Sequence, residues 1–253
     1  MAEATRTLSK NGLLDRLPEG ERTELLSLMR HRPIVPHAML QPPGQPVGLV
    51  HFPLAGVISL MTPLQDGSAI EVAAVGNEGM VGVHAFLGGG PLGNVQAMSQ
   101  VPGEMLSMDA EAFRAMADRD GELRGVMVSY SQALFAQIAQ AVACNGGHEV
   151  QQRTAKWLLE VHDRVGADEF QLTQDLLADM LGVTLFSVSA AAGVLQTAGL
   201  IRYGRGHVVV LDREALEDVS CGCYAAARDE YERLLGPKPR RSQPPVLHHL
   251  HSV

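Results

Sequence analysis

A long stretch without a single charged side chain divides this chain into two unlike parts. Residues 125–148 contain no Asp, Glu, Lys or Arg, and these 24 residues are enough to span a bilayer. The Ser, Gln and Asn side chains among them would be costly in hydrocarbon. We therefore expect a helix buried against protein rather than lipid, in a soluble, cytoplasmic protein with no membrane partner.

Apolar residues recur every three or four positions along this segment, which predicts one long helix with a single apolar stripe. The stripe consists of Leu123, Met127, Tyr130, Leu134, Ile138 and Ala141. Small residues between its members are typical of a helix that packs closely against a partner helix. We expect the stripe to form a dimer interface, and the alternative is a helix of the protein's own core.

The part before this helix has the rhythm of an antiparallel β-structure. A helix is predicted over residues 13–32, and from residue 33 onward turn signals alternate with short apolar runs. The predicted strands cover residues 47–52, 56–61, 70–75, 95–101 and 105–108. Asp109 then offers an N-cap to a short helix over residues 110–117. These signals predict a sandwich or barrel.

The part after the uncharged segment predicts helices and one hairpin. A helix over residues 149–165 contains the only tryptophan, Trp157. Two further helices follow, joined by a tight turn at Gly182. The two-glycine loop at residues 202–207 separates short apolar runs and predicts a hairpin. The expected unit is a helix-turn-helix followed by a β-hairpin wing.

At this point the residues resemble the Crp/Fnr-type bacterial transcription regulators. The motifs QLTQDLLADMLGV at 171–183, SVS at 187–189 and AGLIRYGRG at 198–206 are similar to the winged helix-turn-helix of that family. The front part, with GNEGMVG at 76–82, is similar to the cyclic-nucleotide-binding-type jelly roll that precedes it. The resemblance covers about residues 13–235.

The resemblance implies an α+β fold with an N-terminal antiparallel β jelly roll, a long dimerisation helix and a C-terminal winged helix-turn-helix. The expected units are a sensor domain over residues 13–120, the dimerisation helix over 121–148 and the DNA-binding domain over 149–236. The protein would be a homodimer that binds double-stranded DNA in response to a signal. The proline-rich residues 237–253 are expected to be a disordered tail, and residues 1–11 lack the apolar run of a secretory signal.

The sensor part lacks the side chains with which relatives bind cyclic AMP. Those relatives present a Gly-Glu pair to the ribose and an Arg-Ser pair to the phosphate. Here Val83 stands where the Glu would be, and Asn94 and Val95 stand roughly where the Arg-Ser pair would be. No Lys or Arg occurs between Met80 and Val101. We expect no cyclic-nucleotide binding, and a small-molecule effector would be of another, unidentified kind.

No cofactor is expected either. The iron–sulfur branch of the family uses four thiolates, three of them near the N-terminus, whereas the first cysteine here is Cys144. His51 or His84 could ligate a haem in principle, but lone histidines in an apolar sheet are more often structural. We expect Cys144, Cys221 and Cys223 to be unrelated reduced thiols and not a metal or redox site. The same holds for the tail histidines His248, His249 and His251, which we expect to be solvated.

In this architecture the second helix of the motif enters the major groove with its N-terminal residues towards the base edges. Those positions are Thr184, Leu185, Phe186, Ser187, Ser189 and Ala190. Two of them are commonly Arg in the family, but Leu185 and Ala190 stand there in this chain. Further DNA contacts are expected from Thr173 and Gln174 on the first helix and from Arg202, Arg205 and His207 on the wing.

The charge of this half is unusual for a DNA-binding protein. The whole chain has 20 Lys+Arg against 28 Asp+Glu, a net charge of -8, and the 37 residues between Arg164 and Arg202 contain no Lys or Arg. Phosphate contacts usually need cations, so we expect weak binding with a shallow salt dependence. Arg202, Arg205, His207 and the tail cations Lys238, Arg240 and Arg241 remain for the backbone. A/T-rich half-sites are expected over guanine-centred ones.

The spacing of Val188, Gly193, Val194 and Leu195 predicts the buried face of the second helix and leaves Leu185 and Phe186 exposed. An exposed apolar patch suggests a partner. A second hypothesis is therefore an interaction protein that has lost DNA binding, or a heterodimer partner of a sister regulator. An enzyme is not expected, because no catalytic constellation is recognisable and the glycines at 88–90 lack the Lys and Ser/Thr of a phosphate loop.

Overall fold

The computed structural model describes residues 9–88, 90 and 93–237. These residues form a sheet-rich front part and a helical back part, joined by one long helix. The predicted disordered tail lies outside the described residues from Lys238 onward, together with its basic residues and histidines.

The front part begins with two short helical segments and not with one helix over residues 13–32. A 3-10 turn at Leu14–Arg16 is followed by α1, Glu19–Ser27, which begins directly after Pro18. The chain then enters β1, Arg30–Ile34, which pairs with the strand Gln96–Asp109. The prediction that the helix extends to residue 32 is thus wrong, because strand pairing outweighs local helical spacing there.

Five antiparallel strands form the front sheet. They are β1, β2 (Met39–Gln41), β3 (Leu49–Pro63), β4 (Ala69–Val75) and β5 (Gln96–Asp109). The order is β1-β5-β3-β4, and β2 also pairs with β5. The prediction of an antiparallel β-structure is confirmed. Four of the predicted strands merge into two, because β3 and β5 each cover two predicted strands and the residues between them.

Glycines allow the two long paired strands, β3 and β5, to bend. Gly56 in β3 has a φ of 90°, and the register between β3 and β5 shifts around it. A Cβ on Gly103 would lie 2.1 Å from the carbonyl oxygen of Ala55. Gly103, which predicted a turn, and Gly56, which predicted the start of a strand, therefore mark bulges at which a continuous strand curls.

The front part ends with α2, Ala110–Ala117, which the Asp109 side chain caps as predicted. The long helix α3, Glu122–Gly147, and then α4, Val150–Val165, follow. The remaining elements are β6 (Glu169–Gln171), α5 (Gln174–Leu181), α6 (Leu185–Thr197), β7 (Ile201–Gly204), β8 (His207–Val210), α7 (Arg213–Asp218) and α8 (Cys223–Leu235). Helices α5 and α6 with the β7–β8 hairpin form the predicted winged helix-turn-helix, and α8 packs along α3.

The apolar stripe of α3 is largely internal, which corrects its predicted role. Leu123, Met127, Tyr130 and Leu134 are buried in the core beneath the front sheet. Tyr130 donates a hydrogen bond of 2.7 Å to the carbonyl oxygen of Met80. Ile138 packs partly against the same core, and Ala141 is half-buried. The stripe thus stabilises the subunit itself and is not available to a second copy.

The front and back parts share a buried boundary. Trp157 of α4 donates to the Oε1 atom of Glu71 on β4 at 3.0 Å, and Gln137 of α3 donates to the carbonyl oxygen of Ala74 at 2.9 Å. Arg164 of α4 makes an ion pair of 2.8 Å with Glu78. The apolar core around α4 also takes in residues of β3, β4 and β5. The helix-turn-helix is therefore packed on the sheet.

No single helix in the described part of the chain is long and apolar enough to cross a membrane. Helices α5 and α6 meet that criterion of length and composition only as a pair, and they are bent by 110° relative to each other.

Gly103→Ala tests the close approach of β5 to β3 at Ala55. The added methyl group would overlap the backbone at Ala55, so the free energy of unfolding should fall by about 3 kcal/mol or more. The matched control is Gly48→Ala, because nothing lies within 4 Å of a Cβ at that position. Urea unfolding gives the free energy of unfolding of both variants, and equal values would contradict the close approach of the two strands.

Candidate DNA-binding surface and cysteine cluster

The turn between α5 and α6 depends on one glycine and two capping threonines. Thr173 accepts a hydrogen bond from the backbone N–H of Leu176 and so begins α5. Gly182 ends that helix with a φ of 62°, a left-handed conformation that favours glycine. Thr184 then accepts from the backbone N–H of Ser187 and begins α6. These local signals fix the angle between the two helices.

Helix α6 presents an apolar face to solvent. Its buried residues are Val188, Ala191, Ala192 and Leu195. The prediction for Val194 is wrong, because its side chain is 49% exposed. Leu185 and Phe186 are exposed as predicted, at 45% and 82%. Few large apolar side chains of a folded protein lie so open without a ligand or partner.

The polar side chains near this face bond to one another. The hydroxyl groups of Thr184 and Ser187 lie 2.9 Å apart. Ser189 donates to the Oε1 atom of Gln174 on α5 at 2.5 Å. Four of the five predicted polar contacts thus form two pairs, and the fifth, Thr173, caps α5.

The wing is a tight hairpin with Arg205 and Gly206 at its tip, both with positive φ, at 54° and 76°. Two such central residues are typical of a type I′ turn. Gln196 of α6 accepts a hydrogen bond of 2.8 Å from the backbone N–H of Tyr203, which ties the wing to α6. His207 lies 3.5 Å from Glu169, an ion pair only if the imidazole is protonated.

Most of the arginines in this unit are neutralised. Five Arg occur between residues 166 and 236, and three of them pair with acids: Arg213 with Asp163 at 2.8 Å, Arg228 with Glu217 at 3.3 Å, Arg233 with Glu230 at 2.6 Å. The other two, Arg202 and Arg205, are exposed on the wing and form no ion pair with any described residue. Positive charge available to a ligand is therefore concentrated on the wing.

Val83, which stands where relatives present the Glu that binds the ribose of a cyclic nucleotide, is not open to a ligand. Val83 is buried in a 3-10 turn, Val83–Ala85. An arginine of another element contacts the loop between β4 and β5: Arg114 of α2 donates a hydrogen bond of 2.9 Å to the carbonyl oxygen of Gly88. The sequence around the loop gave no signal for this arginine, which comes from a later helix.

Two histidines considered as haem ligands have side-chain partners. His51 lies with its Nδ1 atom 2.8 Å from the hydroxyl group of Ser107, and His84 lies with its Nε2 atom 2.7 Å from the Gln41 amide. Burial lowers the pKa of both histidines, and for His51, where Arg32 adds to the effect, the pKa falls to about 4. Both imidazoles are therefore neutral at neutral pH.

A cavity of about 330 Å³ lies between α3, α4, α8 and the front part. Its lining combines both signs of charge, with Arg16, Arg164 and Arg213 facing Glu78 and Asp163. Tyr224 at its edge donates to Asp163 at 2.7 Å. Nothing in the sequence spacing indicated this cavity, because its walls come from six separate segments.

The three cysteines are not unrelated, which corrects the prediction made for them. Cys144, Cys221 and Cys223 are buried together, and His148 lies half-buried beside them. The four potential ligand atoms all lie within 4.8 Å of one another. A hydrogen bond from Cys144 lowers the pKa of Cys221 to about 5, and the same bond raises the pKa of Cys144. The spacings Cys144-x3-His148 and Cys221-x-Cys223 were the available signal.

Comparison with known proteins identifies the architecture. Residues 152–219 match the model of the Crp-like helix-turn-helix domain. FixK2 of Bradyrhizobium japonicum has a similar structure, at 19% identity, a TM-score of 0.65 and coverage of 76% of this chain and 98% of that one. The c-di-GMP-responsive regulator CLP of Xanthomonas campestris matches at 14% identity and a TM-score of 0.61, covering 76% and 99%. No curated protein sequence gives a significant match.

A cyclic-nucleotide-binding-type protein of Ruegeria pomeroyi DSS-3 is 26% identical, with a TM-score of 0.58 and coverage of 83% of this chain and 93% of that one. The chain thus shares with these proteins the fold of an antiparallel sheet in front of a winged helix-turn-helix. The predicted resemblance to the Crp/Fnr-type transcription regulators is confirmed for the fold and for the helix-turn-helix domain.

The lowered pKa of His51 predicts acid sensitivity. The unfolded chain binds a proton at the ordinary value of 6.5, whereas the folded chain does so only at about 4. Stability from this site is therefore complete above pH 6.5 and is lost as the pH falls to 4, by up to about 3 kcal/mol. Urea unfolding at a series of pH values should show a smaller loss for His51→Asn than for the natural chain. The exposed His37→Asn is the control, and identical pH profiles for all three would contradict the assignment.

Proposed function

We propose that this protein is a transcription regulator that binds double-stranded DNA as a homodimer and does not bind a cyclic nucleotide. The observation that carries the proposal is the exposed N-terminal end of α6 together with a wing on which Arg202 and Arg205 form no ion pair with any described residue. An exposed helix start and a basic hairpin are the two elements with which a winged helix-turn-helix contacts DNA.

In this proposal α6 enters the major groove. The hydroxyl groups of Thr184 and Ser187 donate to bases or phosphates, and Leu185 and Phe186 contact thymine methyl groups. Thr173 and Gln174 at the start of α5 lie beside Ser189, so they extend the same polar edge. The wing residues Arg202, Arg205 and His207 bind the backbone. Base contacts of this kind favour A/T-rich half-sites.

The absence of cyclic-nucleotide binding is supported by chemistry. A ribose needs an acceptor where Val83 is buried, and a cyclic phosphate needs a cation that residues 80–101 do not contain. Arg114 reaches the neighbouring loop, but its guanidinium is bound to a backbone carbonyl oxygen. Any effector would therefore be of different chemistry.

Dimerisation is proposed through the opposite face of α3 from the buried stripe. Seven uncharged, exposed residues on that face form what we call the seam. They follow one another in alternating steps of three and four residues: Gly125, Val128, Gln132, Phe135, Ala139, Val142 and Gly146. Val128, Phe135 and Val142 are 45%, 73% and 68% exposed and lie seven residues apart. Such a repeat is the seam of a two-stranded coiled coil, so a second copy of α3 is the fitting partner.

The experiment that tests the function is capture of genomic DNA fragments by the purified protein at low and at physiological salt, followed by sequencing. A two-fold symmetric, A/T-rich site retained at physiological salt is the expected result. No enriched site at either salt concentration would contradict DNA binding.

That second outcome would favour the other candidate function, an interaction protein that binds a protein partner through α6. The 82% exposure of Phe186 is the observation that favours it. The two candidates differ in a direct test, because Phe186→Ala should weaken DNA binding only if the side chain lies in the groove. The exposed Leu211→Ala, outside α6, is the control.

The wing arginines should supply most of the ionic affinity. Arg202→Ala combined with Arg205→Ala removes two phosphate contacts per subunit and should weaken DNA binding at least about tenfold at low salt. Arg30→Ala with Arg119→Ala, on the front part, changes the net charge equally and should have little effect. Fluorescence anisotropy with the captured site measures both, and equal losses would show that only net charge matters.

The seam predicts a charge-sensitive dimer. Phe135→Glu would place two carboxylates against each other at the centre of the interface, so the dimer should dissociate into folded monomers. Leu64→Glu, at an exposed apolar position in the β3–β4 turn, should leave it intact. Sedimentation velocity gives the masses, and a dimeric Phe135→Glu variant would contradict the seam.

A further inference from the structure

We propose that Cys144, His148, Cys221 and Cys223 form a closed tetrahedral binding site for Zn²⁺. The site lies where the end of α3 meets the start of α8. It is independent of the proposed function, since metal binding is measured without DNA.

The distances suit one small ion. A tetrahedral zinc with bonds of about 2.3 Å to sulfur holds its sulfur ligands about 3.8 Å apart. The Sγ atoms of Cys144 and Cys221 lie 3.5 Å apart, as do the Cys223 Sγ and His148 Nδ1 atoms. Every pair among the four ligand atoms is within 4.8 Å. Side-chain shifts of less than about 1 Å would therefore complete a tetrahedron.

The backbone holds the four ligands in two rigid pairs. Cys144 lies in the last turn of α3, and His148 is the residue that ends the helix, where its backbone N–H donates to the carbonyl oxygen of Cys144 at 3.2 Å. Cys221 and Cys223 flank Gly222, the N-cap residue of α8. Their spacing places both thiols at one helix end, and α8 is held against α3 by packing along its length. The site is thus formed by the fold and does not depend on a flexible loop.

The surroundings stabilise metal-bound thiolates. Gln140 donates a hydrogen bond of 3.0 Å to the sulfur of Cys223. A donor to a sulfur ligand stabilises the thiolate form that binds the metal.

The donor set selects the metal. Three sulfurs and one imidazole nitrogen disfavour Mg²⁺ and Ca²⁺, which take oxygen ligands. The cysteines are buried, and four protein ligands leave no open position for water or substrate, which is the arrangement of a structural zinc site. On binding, Zn²⁺ forms bonds to three sulfurs and one nitrogen, and the displaced thiol protons pass to solvent.

The position gives the ion a mechanical role. The chain passes from α3 to α4 through residues 148 and 149, so His148 lies in this link and Cys144 lies in the helical turn before it. The other two ligands belong to the segment that follows the wing and α7. Zinc would therefore fasten the C-terminal end of the DNA-binding unit to the end of the long helix, and so stabilise the placement of that unit.

The test uses the full chain, purified anaerobically with a thiol-free phosphine reductant. Elemental analysis should give about one zinc per chain, and exchange for Co²⁺ should produce the intense visible bands of tetrahedral thiolate-bound cobalt. Zinc should raise the melting temperature of metal-free protein by several degrees. A folded chain that takes up no zinc or cobalt, or one whose Cys144 and Cys221 form a disulfide instead, would overturn the proposal.

Variants assign the ligands. Cys223→Ser and His148→Asn should each weaken zinc retention against a chelator at least about tenfold and shift the cobalt bands. His31→Asn, in the front sheet, is the matched control and should change neither. His148→Asn keeps all three thiols, so it remains informative if the cysteine variant does not fold. Cobalt spectra that are the same in all variants would place the metal elsewhere and overturn the assignment.

Discussion

The placement of the DNA-binding unit depends on one buried cation, Arg164 of α4. Its guanidinium forms an ion pair with Glu78 and donates to the carbonyl oxygen of Ala74 at 3.0 Å. A Cβ at Gly76 would lie 2.4 Å from its alkyl chain, so only glycine leaves room for it. Because a buried guanidinium cannot lose its proton, removing one of these partners would leave a costly charge. The end of β4 and the end of α4 are therefore fixed together, and the elements that follow α4 are placed by them.

This joint leaves two further surfaces exposed. The uncharged seam of α3 lies opposite the stripe that packs on the sheet, and α6 with the wing faces solvent. Three arginines of the helix-turn-helix unit pair with acids, whereas Arg202 and Arg205 form no ion pair with any residue that the structure describes. The proposed zinc site lies at the opposite end of α3 from its start beneath the sheet and would secure the same placement from the other side.

Local signals predicted much of this architecture, and contacts between distant residues could not be predicted in the same way. The Asp109 cap, the Gly182 turn and the wing hairpin are each determined by a few consecutive residues, and all three appear where the sequence indicated. The stripe of α3 has the same period whether it covers a sheet or a partner helix, so periodicity could not choose between them. The cysteine cluster joins residues 77 positions apart, and Gly56 and Gly103 mark bends in strands although glycines usually signal turns.

DNA should be held by few ionic contacts, and among the described residues the wings supply them. The most direct measurement is the dependence of DNA affinity on salt concentration, made on a variant with Lys238, Arg240 and Arg241 replaced by Ser so that only described cations contribute. Four wing arginines per dimer predict a slope of about −4 for the logarithm of the binding constant against that of salt concentration. A slope of about −8 or steeper would contradict this prediction, because it would require cations besides the wing arginines.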